Sequence, residues 1–437
     1  MDIKEIMKNA GIVGAGGAGF PSFMKLAEGA DTLVVNGAEC EPLLYTDYVL
    51  LDTELDTVLS GISAVINYIN IPRALMCVKK HTAERLGWSD GMCLADRIFV
   101  KELPNVYPMG DEISMIYQAT GRVVRAGNLP ITSGVIVYNV ETLYNIAKAL
   151  DGHPLTMKWF TIGGNVKEPI VVCTPIGTRL SDVFKKYGIT VPAGHTVLDG
   201  GPSMGRVINP NSAIVTKTTK GILILPDTAP AIESKRIDAK KAAARAETAC
   251  CQCTRCTDLC PRHLLGYPLE PHKMVRTAAQ AVAPMPIMVL TATLCCGCGI
   301  CETLACCQGI SPRAVIANYK DMLGKNRMKY VANVDAKVSA EREYRMVSSH
   351  KWASVLGVEK YDRVAKFVGV DTDYQRFEIL MSQHIGAPSV AKVSVGDTVR
   401  AGDVIAEAGA GLSLPQHASA DGRVSYVDQK KIVIDRG

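Results

Sequence analysis

Apolar positions recur along the 437-residue chain with two different periods, and the alternation of those periods divides it into segments. Ile3, Ile6 and Met7 stand at helical spacing. TLVVNGA at 32–38 is a short continuous apolar run and reads as a buried strand, while 54–69 returns to helical periodicity. RALMCVKK at 73–80 and DRIFVKEL at 96–103 read as strands, and 111–121 as a helix closed by Gly121. SGVIVYN at 133–139 is a strand feeding a helix over 140–152, closed by Gly152. Such alternation predicts an α/β sandwich with a mainly parallel sheet over 1–150.

The pattern then changes. Short β-rich runs at 158–164, 169–175 and 221–226 surround one short helix at 179–188, which predicts a small α+β module over 151–232. IESKRIDAKKAAARAET at 232–248 is a basic, alanine-rich helix leading into a cysteine-rich region over 233–325. Residues 326–375 read as a polar helical linker with no evident role. From about Gln383 the pattern is again β, with regular turns, so 376–437 is expected to be a β module.

Composition narrows the class. Hydrophobic residues make up 48% and charged residues 21%, a core-forming balance, and the +5 formal charge carries no dense Lys/Arg run to suggest a nucleic-acid partner. The first residues are charged and then glycine-rich, unlike a secretory signal, and point to a cytoplasmic protein. The longest uncharged run, 277–301, contains Pro284 and Pro286 and ends in cysteines, so no membrane span is expected.

Eleven of the 15 cysteines fall between Cys250 and Cys307, a density that points to metal. Cys250, Cys253, Cys256 and Cys260, followed by Pro261, have the C-x2-C-x2-C-x3-C-P spacing of bacterial ferredoxins. Cys295, Cys298 and Cys301 repeat the first three, with Cys306 beyond. A tight CxxCxxC turn supplies three ligands to a [4Fe–4S] cube, so each run needs a fourth from elsewhere. Zinc takes paired C-x2-C sets and suits this spacing less well. The expected pairing is crossed: Cys250, Cys253 and Cys256 with Cys306, and Cys295, Cys298 and Cys301 with Cys260. Cys307 competes with Cys306 for the fourth position, and Cys251 and Cys296 are surplus. Cys40, Cys77, Cys93 and Cys173 stand alone and read as small apolar residues.

The stretch GIVGAGGAGFPSFMK raises a second question. Gly14, Gly16 and Gly19 fit G-x-G-x-x-G, but a helical pattern precedes them where a dinucleotide-binding βαβ unit requires a strand. The loop, with Gly17, Phe20 and Lys25, resembles the flavin loop of the NADH-binding flavoprotein subunit of respiratory complex I and of the Rnf complex C subunit. NGAECEP (36–42) resembles that family's first acidic segment, YPMGDE (107–112) its second, and NVETL (139–143) its flavin-binding turn. GGPSMG (200–205) resembles part of its soluble-ligand-binding β-grasp domain, and the C-terminal module a barrel-sandwich hybrid of lipoyl type. No lysine lies between Lys392 and Lys430 to be lipoylated, so the hybrid is expected to dock or support.

The module order resembles the cobalamin reductases of bacterial propanediol-utilisation microcompartments. The resemblance implies a multidomain α/β protein: an FMN/NADH-binding α/β sandwich, a β-grasp domain, a helical two-[4Fe–4S] region and a C-terminal hybrid. Backbone N–H groups of the glycine loop can approach the flavin phosphate or ribityl chain, with Lys25 beside them. Asn36, Asn139 and Thr142 offer amide and hydroxyl groups to the flavin. Glu39, Glu41, Gly110, Asp111 and Glu112 fall in the two acidic segments, where some carboxylates would bind the ribose hydroxyls of NADH. No catalytic acid or base is expected, because the cofactors carry the chemistry. The implied function is an NADH-dependent reductase passing electrons through FMN and two [4Fe–4S] clusters to cobalamin, with a corrinoid adenosyltransferase and shell proteins as partners inside a microcompartment. A peripheral subunit of an Rnf-like complex, or an electron wire without NADH binding, are the alternatives.

Overall fold

A computed structural model describes residues 2–280, 287–331 and 335–436. The first body opens with α1 (Ile3–Asn9) and then alternates: β1 (Thr32–Asn36), α2 (Thr46–Thr53), α3 (Leu55–Tyr68), β2 (Arg73–Lys79), α4 (Lys80–Leu86), β3 (Cys93–Ala95), β4 (Ile98–Leu103), β5 (Val106–Tyr107), α5 (Glu112–Thr120), β6 (Val135–Asn139) and α6 (Val140–Leu150). The sheet runs β3-β4-β2-β1-β6, parallel except for the edge pair β3–β4. Its central strands are buried on both faces, as parallel strands covered by helices must be. Gly61 lets α3 cross α6 closely, since a Cβ there would lie 2.0 Å from the Leu143 carbonyl oxygen. The glycine loop lies between α1 and β1, before the first strand, so a Rossmann strand does not lead into it.

The second body contains β7 (Met157–Gly164), β8 (Ile170–Pro175), α7 (Leu180–Lys186), β9 (His195–Asp199), β10 (Arg206–Ile208) and β11 (Gly221–Pro226). The cysteine-rich region follows α8 (Pro230–Glu233) with α9 (Ala239–Ala249), α10 (Arg255–Asp258), α11 (Pro261–Leu264), α12 (Pro271–Ala279) and α13 (Pro312–Lys325). Met274, Val315, Ile316 and Leu323 form its small core.

Residues 326–375 are not simply helical. They hold α14 (Arg342–Arg345), β12 (Val347–Ser348), α15 (Ser349–Val355) and β13 (Lys366–Val370). β12 pairs with β5 of the first body, and β13 extends the second sheet to the order β10-β9-β11-β7-β8-β13. Two-residue strands and a strand separated by almost 200 residues from its partner leave no local periodicity to read, which is why the polar pattern misleads.

The C-terminal module is two small sheets made from β14 (Arg376–Leu380), β15 (Val390–Ala391), β16 (Thr398–Val399), β17 (Val404–Glu407), β18 (Gln416–His417), β19 (Gly422–Val427) and β20 (Lys431–Asp435). Its Ile405, Leu414 and Ile434 belong to one continuous core with Ile12, Val35 and Ile162 of the first two bodies. Among the described residues no helix is long and apolar enough to cross a membrane, and Pro284 and Pro286 lie outside the described residues.

Candidate flavin cavity and cysteine centres

A cleft of about 590 Å³ opens where the first body meets the second and the cysteine-rich region. Thirteen of the fourteen residues expected at a flavin site line it: Gly14, Gly16, Gly17, Phe20, Lys25, Asn36, Glu39, Glu41, Gly110, Asp111, Glu112, Asn139 and Thr142. Gly19 faces elsewhere. Its φ is +74°, and a Cβ there would meet Thr218 at 2.9 Å and the Gln383 carbonyl oxygen at 3.1 Å, so it lets the C-terminal module pack behind the loop. At Gly17 a Cβ would meet nothing within 4 Å. That open space over bare backbone is the shape an approaching phosphate or ribityl chain needs.

Three of the polar side chains hold loops together. Thr142 accepts from the Ala15 amide at 3.0 Å. Asn139 caps α6 by accepting from the Glu141 amide at 3.0 Å, and its Nδ2 donates to the Asn36 carbonyl and to Asp47. Asn36 donates to the Gly110 carbonyl at 3.1 Å, tying the two acidic segments to each other. A strand-to-helix turn ending in Asn supplies its own N-cap, which explains the residue type.

The carboxylates divide by partner. Glu41 accepts from the Ser203 and Met204 amides at 2.9 Å each, so it anchors the GGPSMG turn of the second body. Asp111 caps α5 and pairs at 2.6 Å with Arg262, which follows the first cysteine run. Glu112 pairs with Lys25 at 2.8 Å. Glu39 differs from these three: its Oε2 accepts from the Asp47 amide at the start of α2, while its Oε1 is covered and, among the described residues, has no hydrogen-bond partner. Burial, and then the charge of Asp47, push its carboxyl up to about 8.

Residues that the sequence pattern did not single out complete the cleft. Lys220 reaches in from the second body to Asp47 and Glu141, and Glu141 is also paired with the fully buried Lys158 at 2.6 Å. Burial opposes the Lys220 charge, but Asp47, Glu141 and Glu39 more than offset it and hold the ammonium above its ordinary range. Neither Lys220 nor Asp47 has a motif around it; only the packing of two bodies brings them together.

The cysteines fall into two groups. Cys260, Cys295, Cys298 and Cys301 line one small cavity together with Cys296. Cys256 is half-buried beside Cys306, Cys253 and Cys250: burial, then those neighbours in that order, push its thiol up to about 12. Cys306 and Cys250 pack on the same small cluster, while Cys307 is exposed. The inner cavity thus gathers the four cysteines expected of a cube, while in the outer group the Cys253 sulfur lies within 4.8 Å of those of Cys251 and Cys307. Cys296 and Cys298 line both the inner cysteine cavity and the flavin cleft, so the two sites share a wall. Tyr107 fixes that wall. Its hydroxyl donates to the Cys298 carbonyl at 2.7 Å, and its ring stacks on Trp352 of α15 with centroids 4.7 Å apart. Trp352 in turn donates to Ser203 at 2.8 Å.

Family comparisons agree with this layout. Residues 7–148 match the Nuo51 FMN-binding domain, 249–311 a 4Fe-4S dicluster domain, and 368–436 the RnfC barrel sandwich hybrid domain. The C subunit of the proton-translocating ferredoxin:NAD(+) oxidoreductase complex of Clostridium ljungdahlii is 33% identical over 60% of the chain and 57% of its own length. Cobalamin reductase PduS of Citrobacter freundii is 35% identical over 100% of the chain and 96% of its own length. The Salmonella typhimurium protein of the same name is 36% identical, covering 100% and 97% respectively. The open space at Gly17 and the gathered cysteines fit FMN and [4Fe–4S] centres, which make the protein an oxidoreductase. By full-length similarity and shared modules, the chain belongs to the cobalamin reductase PduS family.

Proposed function

We propose that the protein is an NADH-dependent cobalamin reductase, taking cob(III)alamin to cob(II)alamin and then to cob(I)alamin in 1,2-propanediol degradation. The observation that carries this reading is the wall shared by the flavin cleft and the inner cysteine group, made by Cys296 and Cys298. Bound FMN supplies the conversion of a two-electron hydride donor into single electrons, which the [4Fe–4S] centres can carry and a corrin cobalt requires. The chain's own residues supply placement. The Gly14–Gly17 backbone cradles the flavin chain, and Lys25, held by Glu112, stands beside it. Glu39 lines the cleft and stands where the nicotinamide nucleotide would bind. Lys220 keeps positive charge at the cleft floor. Cys260, Cys295, Cys298 and Cys301 hold the inner centre, and Cys250, Cys253, Cys256 and Cys306 the outer one, nearer the surface. The outer group is then the exit to cobalamin. An adenosyltransferase that traps the strongly reducing product, and the shell of a microcompartment, are the partners this reading implies.

The test is anaerobic NADH with cob(III)alamin and cob(II)alamin, followed by absorbance, with and without a corrinoid adenosyltransferase. Corrin reduction that depends on NADH is the expected result. NADH oxidation with artificial dyes but no corrin reduction in either condition would replace this reading with a peripheral subunit of an Rnf-like complex.

A further inference from the structure

Two thiols near the outer centre belong to neither group of four. Cys251 and Cys307 each follow a proposed ligand within the same tripeptide, Cys-Cys-Gln, at 250–252 and 306–308. Both are exposed, whereas Cys250 and Cys306 are partly covered. The sulfur atoms of Cys251, Cys253 and Cys307 all lie within 4.8 Å of one another. This proximity is built into the fold. α9 ends at Ala249 and runs straight into Cys250, and from that helix Arg245 donates to the Gln308 carbonyl at 2.8 Å, with its guanidinium packed over Gly309. The same helix therefore leads into the loop with one thiol and clamps the loop that carries the other. Gln252, at a φ of +55°, turns the chain directly after Cys251. A disulfide between them needs their sulfur atoms about 2.05 Å apart.

We propose that Cys251 and Cys307 form a redox-active dithiol at the electron exit, and that the protein reduces low-molecular-weight disulfides with it. The reading rests on the electron chain proposed above. A thiolate of the pair attacks a small disulfide R–S–S–R, releasing one R–SH and leaving a mixed disulfide on the protein. The second thiol then attacks the protein-side sulfur, the Cys251–Cys307 bond forms, and the second R–SH leaves. Two electrons from NADH, arriving singly past the neighbouring Cys253, and two protons return the pair to thiols. The sum is NADH, one proton and one small disulfide giving NAD+ and two small thiols. Exposure of both cysteines gives the small disulfide access.

The experiment uses the full chain loaded with FMN, iron and sulfide, kept anaerobic, with oxidised glutathione as the probe. Peptide mass mapping after treatment should show a Cys251–Cys307 link that disappears on adding NADH, with release of free thiol. Cys251→Ser and Cys307→Ser should each lose thiol release while keeping iron, sulfide and NADH-driven dye reduction at wild-type levels. No link in the treated wild type overturns the proposal, as does a link that survives NADH while dye reduction proceeds. Loss of half the iron in Cys307→Ser overturns it too, because Cys307 would then be a cluster ligand. Wild-type protein that reduces no dye sinks the electron chain itself, and the mapped link still decides whether the pair is redox-active.

Discussion

Glu39 shows how one side chain can be set by its surroundings against its usual chemistry. Its positive φ of 25° and its Oε2 contacts at the start of α2 bring a carboxyl under cover next to Asp47. The folded protein keeps a proton that the unfolded chain releases near pH 4.5, since the folded group titrates at about 8. Stability therefore falls as pH rises from about 4.5 to about 8. Glu39→Gln removes that loss, so urea unfolding of the flavin-free proteins should show the variant gaining on wild type across this window; parallel curves would contradict it. Gly17 offers a complementary test. A side chain there has room, so Gly17→Val should fold with an unchanged melting temperature yet bind no FMN, read by flavin absorbance of the purified protein. Full flavin content in that variant would show that the loop is not the cradle.

At the scale of elements, the segments that hold the redox sites together are the short ones. β12 and α15 cover only nine residues between them, yet they bring Trp352 against Tyr107 and Ser203, and Tyr107 onto Cys298. Trp352 is fully buried, and truncating such a side chain costs about 3–5 kcal/mol. Trp352→Ala should lower stability by about that amount in denaturant titrations and reduce the iron retained by the inner group. The first cysteine run also joins elements, because Cys260 leaves its own run to line the cavity of the second. Cys260→Ala should bring iron from about eight per chain to about four, with the electron paramagnetic resonance signal of the outer centre intact. Loss of the outer signal would reverse the assignment.

At the scale of the molecule, Lys217 marks the junction of three bodies. It lies in the second, donates to the Gly11 carbonyl of the first at 3.0 Å, and approaches the Pro415 carbonyl of the C-terminal module. No carboxylate faces it among the described residues, and burial pushes its amine down to about 7. The unfolded chain keeps that proton up to about pH 10.5, so stability should rise with pH between about 7 and 10.5. His417, pressed down to about 4 by burial and then by Lys217, acts in the same direction lower down: stability is lost as pH falls from 6.5 towards 4. Lys217→Met should flatten the upper limb of a pH–stability profile and shorten the lower one to the part that burial of His417 alone supplies. A profile unchanged at high pH would show that the buried amine is not the cause.

Much of this was legible without coordinates, for a physical reason. A cubic cluster needs thiolates at short fixed spacings, so the two CxxCxxC runs announce themselves within a dozen residues, whereas the bare backbone of Gly14–Gly17 reads as a flavin loop through its resemblance to a known family. The long helices and buried strands of 1–150 are equally local, since each carries its own period. What needed the fold were contacts between segments far apart in the chain. Arg262 on Asp111, Lys220 on Asp47, and Glu41 on the turn at Ser203 are isolated charges in polar loops, and no local pattern distinguishes them from solvated ones. The strands β12 and β13 hid in a polar stretch because their partners lie in other bodies. The amino-acid sequence by itself determined the iron–sulfur ligand spacing, because that chemistry is local, and pointed to the flavin through its resemblance to a known family. Only the tertiary structure decided that the flavin cleft and the inner thiols share a wall, and that Cys251 and Cys307 meet, because adjacency between distant segments is a property of packing alone.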